Sequence, residues 1–197
     1  MSLVLAIKDK DRVVLGSDRQ ASTGAGKSHD NTKIWRSDDL NGALFGAVGS
    51  MRAAQVVQYN QIIDLNDINN FGLSTRYVVN SLVPHIVQVL QEAGISCQSQ
   101  DQDVILPSAF LFAYDNSAWM IWNDLSVSEI TEYLVIGSGE DIAKGVLSAT
   151  KDKNPFDRIS TAIKAAAEHT LYVDDKINFL VTKDEKSDKK LIEQSLK

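Results

Sequence analysis

Two hydrophobic periods alternate along this chain. Residues 3–7 (LVLAI) and 12–16 (RVVLG) are short, β-branched-rich runs on either side of the charged KDKD, the pattern of two antiparallel strands joined by a tight turn. Residues 32–36 (TKIWR) and 43–48 (ALFGAV) predict two more strands, after a loop, STGAGKSHDN, rich in glycine and polar turn formers. A strand at the very start of a chain holds the terminus still where most termini fray, so residue 2 is expected to be fixed in space.

From Ser50 the period changes. Helices are expected over 51–65 and 74–93, the second carrying Val79, Leu82, Val83, Ile86 and Leu90 at helical spacing, with Pro84 as a point of kinking. Strand character returns at 108–114 (SAFLFAY) and 118–122 (AWMIW), which flank the turn residues Asp115, Asn116 and Ser117. A strand at 132–136 (EYLVI) leads through GSGE into a helix at about 140–149. A further helix follows Pro155, with Phe156, Ile159, Ile163, Ala166, Ala167 and Thr170 on one face. KINFLV at 176–181 predicts a last strand, and the lysine- and acid-rich 183–197 predicts a flexible tail. Antiparallel strands apolar on both faces need cover on both sides, so this order predicts an α+β fold: a four-layer αββα sandwich with two antiparallel sheets between helical layers.

Size and charge narrow the partners. At 197 residues the chain has the length of one large domain. Its net charge of -6 repels phosphate backbones and anionic lipid, which speaks against nucleic-acid or membrane-surface partners. Cys97 is the only cysteine, so neither an intramolecular disulfide nor a cysteine-based zinc site can form. The N-terminal apolar run is too short for a signal-peptide core, and no stretch reaches the ~18 apolar residues of a membrane span. A cytoplasmic protein is expected. His29, His85 and His169 fall in no metal-ligand or nucleophile-elbow spacing, and no Walker loop, dinucleotide fingerprint or calcium loop occurs, so no cofactor or metal is expected.

What remains is Met1-Ser2. Aminopeptidases remove an initiator methionine that precedes a residue as small as serine, and Ser2 would then own a free α-amine. Such an amine has a pKa of about 7.7–8.0, so near neutral pH it can accept the proton of its own hydroxyl. One residue then supplies both nucleophile and base.

Three stretches carry a resemblance. SLVLAIKDKDRVVLGSDRQAS, read from Ser2, resembles the mature N-terminus of proteasome β-subunits and of the HslV-type peptidase without a gap, and GAVGSMRAA and IGSGEDIAKGVL resemble two further motifs of that family in order. The resemblance implies an N-terminal-nucleophile hydrolase that cuts peptide bonds through an acyl-enzyme, with Ser2 as nucleophile. It implies that Lys33 lowers the nucleophile's pKa, that Asp18 supports Lys33, that Ser138 stands beside the nucleophile and that the Gly49 N–H stabilises the oxyanion. Ser22 falls where the family contacts substrate, and Ala21, Ala47 and Met51 where it lines its first specificity pocket, a set that suits uncharged side chains. Peptide or unfolded-protein substrates, a homo-oligomeric ring and a possible ring ATPase partner follow from the same likeness.

The chain departs from the pattern at Thr170, where the family has an aspartate reaching the N-terminal amine and the GSG serine; Asp174 and Asp175 are shifted substitutes. A hydroxyl cannot supply that negative charge. Two rival readings therefore stand: a scaffold or binding protein that keeps the fold without turnover, and a small-molecule amidase.

Overall fold

The computed structural model describes residues 2–23, 26–97, 103–183 and 188–196. β1 (Leu3–Asp9) and β2 (Arg12–Asp18) form the expected hairpin, with Lys10 at φ 53 in its turn. The stretch expected as loop instead forms a small ribbon of β3 (Ala21–Thr23) and β4 (Gly26–Ser28). β5 (Ile34–Arg36) and β6 (Leu44–Gly49) follow, and six strands, not four, precede the first helix.

The helical stretch is more broken than its periodicity suggests. α1 (Met51–Tyr59) is capped by Ser50, whose side chain accepts from Ala53 N, and α2 (Leu65–Phe71) by Asp64. α3 (Thr75–Tyr77) runs through a π-helical turn (Val78–Leu82) into α4 (Val83–Glu92). Pro84 explains that turn. It has no N–H to give and its ring crowds the preceding carbonyls, so the turn widens and Val83 N bonds Val78 O instead.

β7 (Ser108–Tyr114), β8 (Ser117–Ile121), β9 (Val127–Glu129) and β10 (Tyr133–Gly137) come next. α5 (Glu140–Ala149), α6 (Pro155–His169), β11 (Ile177–Val181) and α7 (Asp188–Ser195) complete the order. One sheet has the order β10-β1-β2-β11 and the other β5-β6-β7-β8-β9, all pairs antiparallel.

Strand alternation sorts the core into layers. On β1, Val4 and Ala6 face the second sheet and pack with Leu44, Leu111 and Met120. Leu3, Leu5 and Ile7 face the other way, onto Leu147, Ile159 and Ile163 of α5 and α6. Across the second sheet, Phe45, Phe112 and Trp119 pack beneath Val57, Leu82 and Ile86 of the other helical layer. Helices, sheet, sheet, helices is the predicted αββα sandwich. Among the described residues no helix is long and apolar enough to cross a membrane.

Of the tail expected to be flexible over 183–197, residues 184–187 and 197 lie outside the described residues, and 188–195 form a helix. α7 lies against α6, with Leu191 and Ile192 packed on the core and Arg12 Nη1 donating to both Asp188 oxygens at 3.0 and 2.9 Å. Ser160 Oγ and Lys164 Nζ donate to Ser195 O and cap its end.

Candidate active site

The strands flanking β1, β10 and β2, fix Ser2 from both sides. Ser138 N donates to Ser2 O at 2.8 Å, and the next amide, Leu3 N, donates to Asp18 Oδ1 at 2.8 Å. Gly137, at φ +108, makes this approach possible, because a Cβ there would lie 1.9 Å from Ser2 O. Ser2 is thus held by the sheet at one end of its first strand.

Asp18 ends β2 and is fully buried. Besides Leu3 N it accepts from Gln20 N at 3.1 Å and from Lys33 Nζ at 2.5 Å. Lys33 is itself 5% exposed and immediately precedes β5. Burial pushes the Asp18 carboxyl above and the Lys33 ammonium below their ordinary values, and their mutual attraction and the hydrogen bonds oppose both shifts. Lys33 therefore gives up its proton more readily than a surface lysine.

Gly49 closes the site from the second sheet. Ala47 N donates to Lys33 O and Ser50 N to Pro107 O, so by strand alternation the Gly49 N–H is turned to the β5 side, past the point where β5 begins. That leaves it aimed into a cavity of about 480 Å³ that Ser2, Lys33 and Gly49 line together. The φ of +122 at Gly49 reserves the place for glycine, and a Cβ would also meet Pro107 O at 2.6 Å. Ala21, Ala47 and Met51 line the same cavity. The Ser22 side chain and Met1 lie outside the described residues.

Thr170 caps α6 on the other flank of Ser2. Its methyl group lies 3.2 Å from where a Gly139 Cβ would be, and its buried hydroxyl has no hydrogen-bond partner among the described residues. Asp174 does not take that place: it accepts from Arg19 N at 3.0 Å and meets His29 Nδ1 at 2.7 Å. There it bears on Lys33 through space, favouring the ammonium. Sequence reasoning missed this His29–Asp174 pair, whose partners are 145 residues apart. It also missed Gln20, whose amide donates to Leu171 O and ties the β2 exit to the loop after α6.

No family model and no curated protein matches the sequence. Solved structures do. Eukaryotic HslV from Trypanosoma brucei is similar over 91% of this chain and 98% of its own, at 20% identity and a TM-score of 0.61. Thiobacillus denitrificans BPH is similar at 17% identity and a TM-score of 0.68, over 91% of this chain and 97% of its own in a complex with epoxomicin. The BPH structure without that ligand matches equally, with 96% of its own length covered. The chain therefore has the αββα N-terminal-nucleophile hydrolase fold of HslV- and BPH-type proteins.

Proposed function

We propose that this chain is a peptide-bond hydrolase whose nucleophile is the Ser2 hydroxyl, released for chemistry by removal of Met1. The observation that carries this reading is the buried Asp18–Lys33 pair, held at the wall of the cavity that Ser2 and Gly49 also line. A cation beside a hydroxyl lowers the cost of forming the alkoxide, and a buried one does so more strongly than one in water.

Ser2 Oγ attacks the substrate carbonyl carbon while its proton passes to the Ser2 α-amine, directly or by way of water or the Ser138 hydroxyl. The C=O π pair moves to oxygen, where the Gly49 N–H donates to it. Collapse breaks the C–N bond, and the amine's proton goes to the leaving nitrogen. Water then gives a proton to the same amine and attacks the ester carbonyl carbon; the C–Oγ bond breaks, the amine's proton returns to Ser2 Oγ, and the acid is released. Lys33 stabilises the developing alkoxide and Asp18 holds Lys33 in place. Ala21, Ala47 and Met51, with Ser22 on the neighbouring ribbon, are proposed to contact the substrate. The likeness to HslV and BPH also suggests a homo-oligomeric ring, with unfolded protein as substrate and a ring ATPase as a possible partner.

A reading without turnover has one observation in its favour, the uncharged Thr170 with its unpartnered hydroxyl. Intact-mass spectrometry separates the two, because a peptide epoxyketone needs both a free α-amine and the adjacent hydroxyl. Loss of Met1 and one adduct per chain, abolished in Ser2→Ala, is the expected result. A folded, Met1-free chain that never labels would refute the hydrolase and leave the scaffold.

A further inference from the structure

The cavity at Ser2 is a groove that runs along one face of α1. Met51, Ala54, Gln55 and Gln58 stand at helical positions i, i+3, i+4 and i+7, and all four line it. At the rise of an α-helix that face extends about 10 Å from the Gly49 end. The near part is floored by the small side chains Ala21, Ala47 and Ala54, so a substrate side chain meets no obstruction there.

The far part is polar and acidic. The Gln55 and Gln58 side chains make no hydrogen bond among the described residues, and Asp30, from the loop before Lys33, lines the same cavity. Gln58 and Tyr59 also line an adjoining cavity of about 150 Å³ whose other wall holds Asp38 and Asp39. Asp39 is committed to the Ile62 and Ile63 amides, whereas Asp38 is exposed. Two positive charges at the groove already have acidic partners: Lys33 is paired with Asp18, and Arg19 with Asp30 Oδ1 across a solvent-exposed pair at 2.8 Å. Exposed pairs of this kind hold their partners weakly, and a carboxylate has a second oxygen to offer. Tyr59, 78% exposed, adds an aromatic ring at the same end.

We propose that this groove selects a long cationic side chain, arginine or lysine, at the residue whose carbonyl Ser2 would attack. The aliphatic stem lies along Met51, Ala47 and Ala54, and the charged tip reaches Asp30, Gln58 and Tyr59, with Asp38 behind them. This reverses the preference for uncharged side chains expected from Ala21, Ala47 and Met51, since those three line only the near part. The proposal takes its direction from the hydrolase reading, because the groove is measured from Ser2.

Binding of product-like ligands tests the groove without needing turnover. Acetyl-Ala-Ala tripeptide acids ending in arginine, citrulline or norleucine are titrated into the full-length chain by calorimetry at low salt. Arginine should bind about tenfold more tightly than its neutral isostere citrulline, and Asp30→Asn with Asp38→Asn should close most of that gap. Equal affinity for arginine and citrulline, a gap that both substitutions leave intact, or no binding by any of the three would overturn the proposal. Epoxyketone labelling reports separately on Ser2. A chain that labels without preferring arginine sinks the selectivity alone, and one that prefers arginine without labelling sinks the hydrolase and keeps the groove.

Discussion

On one flank of Ser2, the Asp18 carboxylate accepts from three donors, one of them the Lys33 ammonium. On the other flank, Thr170 buries a hydroxyl that has no hydrogen-bond partner among the described residues. The first arrangement places opposite charges where each is costly alone, so either side chain is held only while its partner is present. The second places a group that costs little to bury and contributes no charge. On the proposed reading, the site has the charged pair that would activate the hydroxyl but no carboxylate at position 170 to orient the amine.

The largest effect should come from breaking the charged flank. Lys33→Ala leaves Asp18 buried beside two amides and no cation, and should cost about 3–5 kcal/mol of stability in a denaturant titration. It should also slow epoxyketone labelling by at least about 100-fold in the fraction that remains folded. Labelling within a few-fold of the parent would mean that the pair is structural only.

Next in size is the cradle between the flanks. Gly137→Ala drives a methyl group into Ser2 O at a φ that L-residues rarely adopt, so the first strand must shift. A loss of about 2–4 kcal/mol is expected, with labelling reduced even where thermal unfolding shows the fold intact. If labelling survived, the position of the Ser2 backbone would matter less than its neighbours.

These two flanks were not equally legible in the sequence. Strand periodicity placed β1, β2 and β6, and therefore Asp18 and Gly49 at strand ends, because alternation over a buried sheet leaves few choices of register. The pairing of Asp18 with Lys33 joins residues 15 apart across a turn, and only the resemblance pointed to it. Periodicity said nothing of β3 and β4, three residues each, nor of the π-turn that Pro84 imposes. α7 was hidden because its apolar face is little more than Leu191 and Ile192 and its anchor, Arg12, lies 176 residues away. The acidic far end of the groove was invisible for a similar reason: Asp30 before β5, Asp38 after it and Gln58 on α1 are apart along the chain, and only the fold sets Asp30 and Gln58 in one cavity with Asp38 in the adjoining one.

A milder test acts through pH. A buried ammonium loses its proton below the ordinary lysine value, and the Asp18 carboxylate pulls in the opposite direction by favouring the charged form. If the Lys33 charge assists Ser2, labelling should decline as pH rises through the Lys33 pKa. Asp18→Asn removes an anion and so lowers that pKa further, moving the decline to lower pH. A decline that stays in place, or moves to higher pH, would show that another group controls it.

The smallest effect belongs to the uncharged flank, and it decides whether Thr170 is idle. Thr170→Val keeps the shape and the methyl group against Gly139 and removes only the unpartnered hydroxyl. A buried hydroxyl without a hydrogen bond costs about 1–3 kcal/mol, so the variant should be more stable than the parent, by about 1 kcal/mol after relaxation. Its labelling rate should stay within about twofold, since position 170 carries no charge in either variant or parent. A fall of tenfold or more would mean that the hydroxyl engages the freed α-amine once Met1 is gone, and that this flank too orients the nucleophile, by a hydrogen bond instead of a charge.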